Sequence, residues 1–239
     1  MIRKIIYGVY AIMGMMIMTA CGSRPDAYEI SLEKMQGFPT EDAGFLKGVS
    51  ALYAGVVDGN LLIAGGCNFP DTPAADGGKK IFYRDVYIAP LSNDTVLEWK
   101  KIGRLPQAAA YGVTVSTEKG LICVGGTTAT HSLSDVFLLS LQKDTLHTDT
   151  LPSLPVTIDN MAGALVGHSL YIVGGNVNGV PSPSMYMLDL SDLSGGWKKG
   201  TDIPGAPRVQ PVCVAQGGNL YVWGGFAPAI GERQASLSV

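Results

Sequence analysis

The sequence predicts an all-β fold, a β-propeller built from four-stranded antiparallel blades. Its 239 residues include 31 glycines and 14 prolines, and 15% of them are charged against 46% apolar. This composition is typical of a well-packed protein with many tight turns. A glycine pair follows an apolar run four times, with its first glycine at Gly65, Gly125, Gly174 and Gly224. The intervals of 60, 49 and 50 residues match the period of propeller blades.

The first two strands of each repeat, A and B, lie before the glycine pair. A short apolar run, such as residues 54–57 or 162–166, precedes a turn that contains glycine, for example at residues 58–60 and 167–168. The run that ends in the glycine pair follows directly. Two apolar runs joined by such a turn form a β-hairpin, so each repeat is expected to begin with one.

Two further strands, C and D, are expected after the glycine pair. Strand C is apolar and aromatic, and strand D carries a tryptophan in two of the repeats. The predicted stretches are residues 85–88, 135–138 and 184–187 for strand C, and residues 97–100, 148–150 and 196–199 for strand D. Each repeat therefore makes one four-stranded antiparallel blade.

The order of glycine pair, aromatic strand and tryptophan resembles the Kelch repeat, over a predicted propeller domain at residues 28–239. Residues 32–39 resemble residues 97–106, so a D strand with no blade before it is expected there. Residues 235–239 are expected to form a third strand only. Either the first strand closes a four-bladed ring, or the propeller is longer and about four of its blades are present. The second arrangement is favoured because the chain stops within a repeat.

The first twenty residues have the pattern of an export signal. Arg3 and Lys4 precede an uncharged run at residues 5–20, which is short for a membrane span of roughly 20 residues. Cys21, before Gly22 and Ser23, resembles the lipidated cysteine of a bacterial lipobox; an ordinary signal peptide with an incidental cysteine is the alternative. We expect an exported lipoprotein in the periplasm or on the outer membrane of a Gram-negative bacterium. Its predicted segments are a signal peptide at residues 1–20 and a lipidated cysteine with a short linker at residues 21–27.

Charge and cysteine content argue against several classes of function. Without Arg3 and Lys4, the chain has 15 basic and 20 acidic residues and a net charge of −5, whereas nucleic-acid binding needs clustered lysine and arginine. Cys67, Cys123 and Cys213 lack C-x-x-C spacing, so neither a disulfide framework nor a zinc site is indicated. We expect no nucleic-acid partner, no metal, and membrane contact through the lipid anchor only.

The glycine pairs are interpreted as structural. Neither G-x-G-x-x-G nor G-x-x-x-x-G-K-[ST] follows them, and no helix is predicted there to supply amide donors for a phosphate. After strand B the chain must turn tightly near the propeller axis. Positive φ and close backbone approach at such a turn favour glycine.

One face of the predicted propeller collects the polar side chains suited to binding. The B–C loops and the crossovers between blades share this face, and they are longer and more polar than the turns on the opposite face. Binding residues usually lie on such loops of a rigid scaffold. They are Asn68, Asp71, His131, Asn176, Asn178, Glu232 and Arg233 in the loops, and Gln107, Tyr111, Asp159, Asn160, Arg208 and Gln210 in the crossovers.

The stretch after the first glycine pair carries a more specific resemblance. Residues 65–70, GGCNFP, resemble the GGxNFP signature of the N-acetylneuraminate epimerases, or sialic acid mutarotases, which are exported Kelch-type propellers. The resemblance implies six blades in all and interconversion of the α and β anomers of free N-acetylneuraminic acid. It also implies a small sugar acid as partner, with no metal or organic cofactor. Because two of the six blades would then be missing, little activity is expected from residues 1–239 alone. Phe69 and Pro70 are expected to hold the loop rigid and leave the Asn68 amide free.

The implied chemistry needs a base for the anomeric hydroxyl, an acid for the ring oxygen and a cation for the carboxylate. Glu232, the only carboxylate of the fourth B–C loop, is the expected catalytic base, although the family's glutamate stands nearer the position of Gly225. Arg208, and after it Arg233, is expected to bind the carboxylate through its guanidinium fork. The further substrate-binding residues expected are Asn68, Tyr111, Asn160 and Asn176. For His131 and Asn176, capping of their own loops is the alternative.

A non-catalytic Kelch scaffold that binds a protein or glycan at the cell envelope is the main alternative function, because many Kelch propellers serve as platforms. A copper enzyme resembling galactose oxidase is disfavoured. The only histidines are His131, His147 and His168, and the last lies in a turn on the opposite face. A sialidase is disfavoured because the S-x-D-x-G-x-T-W repeat does not occur.

Overall fold

The computed structural model describes residues 37–38, 42–91, 96–143, 145–227 and 236–237. The predicted export signal, Cys21 with its linker, most of the strand expected at residues 32–39, and both Glu232 and Arg233 lie outside the described residues. In the part of the chain that is described, no helix is long and apolar enough to cross a membrane.

Antiparallel ladders join the strands of each repeat into a blade. Three blades have four strands and the next has two among the described residues, and the inner strands of successive blades contact one another. The strands are β1 (Tyr53–Val57), β2 (Asn60–Ala64), β5 (Asp85–Pro90) and β6 (Lys100–Arg104) in the first blade; β7 (Val113–Thr117), β8 (Gly120–Val124), β9 (Val136–Gln142) and β10 (Thr145–Thr150) in the second; β12 (Ala162–Val166), β13 (Ser169–Val173), β16 (Met185–Asp189) and β17 (Lys198–Lys199) in the third; and β18 (Val212–Gln216) and β19 (Asn219–Trp223) in the fourth. The predicted all-β propeller of four-stranded antiparallel blades is confirmed.

Short ladders in the loops and crossovers complete the binding face. They are formed by β3 (Cys67–Asn68), β4 (Ile81–Phe82), β11 (Ile158–Asp159), β14 (Asn176–Val177), β15 (Val180–Pro181), β20 (Phe226–Ala227) and β21 (Ser236–Leu237). A four-residue helix, α1 (Ala43–Leu46), precedes the first blade. The pairs β3–β4, β14–β15 and β20–β21 each lie within one B–C loop, whereas β11–β14 joins a crossover to a B–C loop. Isolated bridges at Ala110–Thr127 and Val209–Phe226 also join a crossover to a loop.

The predicted A–B hairpins are present, and their turn residues determine the strand register. Val57 pairs with Asn60 across Asp58 and Gly59, and both turn residues have positive φ, +48° and +72°. Two consecutive left-handed residues define the type I′ turn, whose twist matches that of the flanking strands. This register places Leu62 and Ala64 in the buried core.

Two predicted strand positions are wrong. The D strand of the first blade begins at Lys100 rather than at residue 97. Leu97 is buried and the ring of Trp99 contacts Phe38 edge-on. These two residues therefore pack their side chains before strand pairing begins. Residues 236–237 were predicted within a third strand of the fourth blade. They pair with β20 instead, as β4 pairs with β3, and therefore belong to a B–C loop ladder.

The glycine pairs connect each blade to the next. The second glycine donates its N–H to a carbonyl of the following crossover: Gly66 to Ala109 at 2.8 Å, Gly126 to Ile158 at 2.8 Å, and Gly175 to Arg208 at 2.7 Å. The first glycine of each of these pairs has positive φ, and a Cβ added to it would crowd the same carbonyl oxygen. A Cβ on Gly125, at φ +55°, would stand 2.6 Å from the Ile158 oxygen, so left-handed geometry and lack of space both require glycine.

Apolar side chains fill the spaces between blades. One cluster lies between the first and second blades and includes Tyr53, Leu62 and Leu139, and another lies between the second and third. Tyr53 also donates its hydroxyl to the Gly125 carbonyl at 2.5 Å. Burial of this phenol raises the pKa of Tyr53 above its usual value, so Tyr53 is a neutral donor that holds the first blade against the second glycine pair.

The strand pair of the fourth blade, β18 with β19, has an uncovered apolar face. Val212, Val214, Tyr221 and Trp223 of β18 and β19 are 41–48% exposed. A Cβ on Gly224 would meet no atom within 4 Å, whereas one on Gly65, Gly125 or Gly174 would meet a crossover carbonyl. Among the described residues, no crossover covers this face as it does in the first three blades.

Candidate functional site

One residue just before the inner strand of each blade forms a hydrogen-bonded chain on the binding face, the axial ladder. Its members are Ala51, Tyr111, Asn160 and Gln210, each fourteen positions before the first glycine of its repeat. The N–H of Tyr111 bonds to Ala51 at 2.9 Å, that of Asn160 to Tyr111 at 2.8 Å, and that of Gln210 to Asn160 at 2.8 Å, in each case at the carbonyl oxygen. All four have φ between +54° and +62°, a conformation that costs free energy in residues other than glycine.

A buried carboxylate organises the side chains beside the axial ladder. Asp159 is 7% exposed, and its Oδ1 accepts hydrogen bonds from Asn160 at 2.6 Å and Asn176 at 2.8 Å. Ser132 donates to Oδ2, and Gln210 donates to the Asn160 Oδ1 at 2.8 Å. Residues from three successive blades are thereby held in one network, which a buried carboxylate requires for stability.

The side chain of Tyr111 contacts a cation, Lys80. The Nζ of Lys80 donates to the Tyr111 hydroxyl at 2.9 Å, and it stands 4.8 Å from the centroid of the Tyr111 ring and 5.3 Å from that of Phe69. The hydrogen bond to Tyr111 raises the pKa of Lys80 against an opposing effect of desolvation. Lys80 is therefore an ammonium ion at neutral pH, stabilised by two aromatic faces.

Three of the predicted binding residues are brought together. Asn160 and Asn176 share one oxygen of Asp159, and the Tyr111 carbonyl accepts from the Asn160 N–H. Asn176 thus bonds to a crossover residue and does not cap its own loop. His131, by contrast, contacts Thr128 and Thr130 within its loop, which confirms the capping alternative for it.

The prediction that the Asn68 amide is free is wrong. Its Nδ2 donates to the carbonyls of Gly44 and Gly48, both at 2.7 Å, and its Oδ1 accepts from the Tyr83 hydroxyl at 2.8 Å. Both amide hydrogens are therefore used within the protein. Asn68 ties the B–C loop to α1, and its predicted contact with substrate stays a prediction.

Arg208 is not brought to the axial ladder. Its side chain lines a separate cleft of about 390 Å³ between the third and fourth blades, with Met185, Ile203 and Val222 among the other lining residues. Its Nε is buried and has no hydrogen-bond partner among the described residues. Arg208 holds the repeat position that Ile158, a fully buried residue, holds one blade earlier, so this position directs its side chain between blades.

Sequence reasoning missed two groups in this region. Lys80 was overlooked because it lies 31 residues before Tyr111, in a loop whose path no local pattern predicts. Asp159 was placed on the correct face but given no role. The constant fourteen-residue offset from each glycine pair could have identified the axial ladder, including Gln210.

The binding face thus combines unlike charges. Lys80 lies beside Tyr111, and the Asp159 network lies beside Asn160, the next member of the axial ladder. Lys80 also borders a shallow cleft of about 440 Å³ between the first two B–C loops, with Gln107, Thr128 and His131. A volume of this size suits a small molecule, and the surrounding groups suit one that carries both an anionic group and several hydroxyls.

Comparisons with known proteins agree on one family. A family model described as N-acetylneuraminate epimerase matches residues 20–148 and 151–238. N-acetylneuraminate epimerase 1 of Escherichia coli O6:H1 is 32% identical over 107 residues, 41% of this chain and 27% of that protein. N-acetylneuraminate epimerase of Haemophilus influenzae strain PittEE is 43% identical over 77 residues, 32% of this chain and 20% of that protein. These matches span about a quarter of the length of the curated relatives or less.

A solved structure supports the same fold. The structure titled "Structure of YjhT" superposes with a TM-score of 0.57 at 15% sequence identity, covering 78% of this chain and 68% of that one. At this identity the likeness concerns the β-propeller architecture alone.

Proposed function

The chain belongs to the N-acetylneuraminate epimerase family, and on this premise we propose that it interconverts the α and β anomers of free N-acetylneuraminic acid. The observation that carries the proposal is the family match across residues 20–148 and 151–238. The GGCNFP stretch and the polar binding face are in keeping with it. The activity is proposed for the whole protein. The match between this chain and a curated relative covers only part of that relative's length.

The reaction requires a balanced proton exchange at one sugar ring. A base removes the proton of the anomeric hydroxyl while an acid protonates the ring oxygen, so that the C–O bond of the ring breaks and a ketone forms. Rotation about the adjacent bond exposes the other face of the carbonyl. Ring closure then returns both protons and gives the second anomer, with no net oxidation and no leaving group.

The residue roles are part of the proposal. Glu232 is assigned as the base and Arg233 as a nearby cation, both outside the described residues. Asn160 and Asn176, oriented by Asp159, are assigned to the hydroxyl groups of the sugar, because rigid amides give directional hydrogen bonds. Tyr111, a member of the axial ladder, is assigned as a further substrate contact, and Asn68 to support of the loop.

Anomer exchange can be measured directly. Freshly released α-N-acetylneuraminic acid is mixed with the full-length protein, and NMR follows its approach to the β anomer. We expect the rate to exceed that of buffer and to fall to the buffer rate in a Glu232→Gln variant. A wild-type rate equal to that of buffer contradicts the proposed function, and an active Glu232→Gln variant removes Glu232 from the role of base.

We also propose that Cys21 carries the lipid anchor of an exported protein. The support is the charged start, the uncharged run and the Cys-Gly-Ser stretch. Mass spectrometry of the protein from membranes is expected to show acyl groups on a chain that begins at Cys21, and Cys21→Ser is expected to lose them. An intact residue 1–20 segment, or an unmodified cysteine, contradicts this proposal.

A further inference from the structure

We propose that Lys80, held between Phe69 and Tyr111, is the cation that receives the carboxylate of the substrate. The inference rests on the proposed function, because it names the group that recognises the acidic part of that sugar. It replaces Arg208, the cation expected from the sequence, with a residue that lies on the axial side of the binding face.

Lys80 retains unused donors in a fixed position. An ammonium group has three N–H donors, and one of them bonds to the Tyr111 hydroxyl at 2.9 Å. The Phe69 and Tyr111 rings flank the same nitrogen and restrict its movement. Among the described residues, no carboxylate lies within ion-pair distance of Lys80, so its charge is available to a ligand.

Tyr111 supplies a second donor next to that ammonium group. The Tyr111 hydroxyl oxygen accepts a hydrogen bond from Lys80, so the hydroxyl proton points away from Lys80. Among the described residues, no group accepts this proton. A carboxylate has two oxygens, each able to accept two hydrogen bonds. One oxygen can therefore contact the ammonium while the other contacts the phenol, an arrangement that fixes the orientation of the acid as well as its position.

The neighbouring groups fit the remainder of a sugar acid. Asn160 follows Tyr111 in the axial ladder at a backbone distance of 2.8 Å, and its side chain belongs to the Asp159 network. A ligand anchored at Lys80 by its carboxylate thus meets amide and carboxylate oxygens on the opposite side, where hydroxyl groups can donate. A carboxylate at that second position would instead be repelled by Asp159.

Arg208 also has a donor without a partner among the described residues, its buried Nε, but it lies in a different cleft. That cleft is lined mostly by apolar residues, Met185, Ile203, Pro204, Leu220 and Val222, together with Thr201 and Asp202. Arg208 occupies the repeat position of the buried Ile158. An arginine there packs its stem between blades. The two cations therefore make different predictions for the binding of an acid.

The test compares an acid with its neutral ester. Binding of N-acetylneuraminic acid and of its methyl ester to the full chain is measured by calorimetry for wild type, Lys80→Met, Tyr111→Phe, Arg208→Met and Lys79→Met. Methionine keeps much of the lysine stem without the charge. Lys79 is an exposed neighbour that lines the same cleft, so Lys79→Met tests whether any nearby positive charge accounts for the preference. Melting temperatures verify that each variant is folded.

We expect Lys80→Met to weaken binding of the acid by about ten- to a hundredfold and that of the ester by less than about twofold, so the preference for the acid disappears. Tyr111→Phe should lose part of this preference, and Lys79→Met none of it. Rising salt should weaken acid binding in wild type but not in Lys80→Met, because the charge pair is screened.

The outcomes separate this proposal from the proposed function. An unchanged acid preference in Lys80→Met, or its loss in Arg208→Met alone, overturns the assignment of Lys80 even if wild type exchanges the anomers. A wild type that binds the acid through Lys80 without exchanging the anomers contradicts the proposed function and supports Lys80. A wild type that binds neither compound overturns both.

Discussion

Gly125 has no Cβ, and this absence allows two neighbouring blades to approach closely. The residue has φ +55°, and a Cβ would stand 2.6 Å from the Ile158 carbonyl and 2.8 Å from the end of the Met161 side chain. Gly167, in the A–B turn of the third blade, has φ +59° but no atom within 4 Å of such a Cβ. Both positions have a left-handed backbone, but only Gly125 has neighbouring atoms that a Cβ would meet. The cost of the backbone conformation can therefore be separated from the cost of the clash.

Alanine substitutions at these positions test that separation. Gly167→Ala is expected to lower the free energy of unfolding by about 1–2 kcal/mol, the cost of a left-handed residue with a Cβ. Gly125→Ala should lose about 3–5 kcal/mol, because a clash with backbone adds to the same strain. Urea unfolding of both variants against wild type measures the difference. Equal losses would contradict a close contact between blades at Gly125.

Conformation at the axial ladder was predictable for some residues only. Asn160 is a residue type that tolerates positive φ, but nothing in the type of Tyr111 or Ala51 indicates it. At Tyr111 the left-handed geometry accompanies a bond from its N–H to the carbonyl of Ala51, the preceding member. The sequence placed Tyr111 and Asn160 on the binding face, whereas their common conformation follows from contacts between blades.

Among the elements, the first B–C loop is held by a side chain rather than by its own turn. Asn68 donates both amide hydrogens to carbonyls, that of Gly44 within α1 and that of Gly48 just beyond the helix. Asp42 caps the N-terminus of α1 through the N–H groups of Gly44 and Phe45. Phe45 then stacks on Phe38 and packs against Tyr83 and Tyr87, so the loop and the helix stabilise one another.

An isosteric change at Asn68 tests this role. Asn68→Asp replaces the amide donors by an oxygen that faces two carbonyls, and we expect a loss of about 3 kcal/mol or more in the free energy of unfolding at neutral pH. The two carbonyls raise the folded-state pKa of the introduced carboxyl above its unfolded value of about 4, and protonation restores one donor, so the loss should diminish as pH falls from neutral to about 4. Thermal melts of wild type and variant at both pH values provide the measurement.

Asn178 offers a matched control for this element. Its Oδ1 accepts from the backbone N–H and the hydroxyl of Thr157, at 3.2 Å and 3.3 Å, so Asn178→Asp retains the acceptor. The change should alter stability by no more than about 0.5 kcal/mol. A tolerant Asn68→Asp variant, or an equal effect at the two positions, would show that Asn68 does not hold the loop through its amide donors.

In the whole molecule, the fourth blade differs from the other three. Its strands β18 and β19 expose Val212, Val214, Tyr221 and Trp223 by 41–48%, whereas β12 and β13 pack side chains into the cluster between the second and third blades. Backbone hydrogen bonds in strands with few buried neighbours open more readily to solvent. The stability of the propeller is therefore expected to decrease towards this blade.

Amide hydrogen exchange measures that gradient. In the 239-residue chain, amides of β18 and β19 are expected to exchange at least about tenfold faster than those of β12 and β13, a factor that corresponds to about 1.4 kcal/mol in opening free energy. Peptides from the third blade serve as internal reference. Equal protection would mean that another part of the chain or a second molecule covers the exposed face, and a fall in protection on dilution would identify the second molecule.

The sequence by itself determined the blades, their strand order and the face on which polar loops gather. These features depend on local patterns: turn residues at 58–59 set a hairpin register, and glycine pairs at intervals of 49 to 60 residues mark the end of each B strand. Only the tertiary structure decided which side chains meet. Lys80 and Tyr111, or Asn160 and Gln210, lie 31 and 50 residues apart and touch because blades stack around an axis. The same stacking directs the Arg208 side chain into a cleft between blades, and packing of the first B–C loop against α1 engages the Asn68 amide. In both places packing, rather than residue type, directs the side chain.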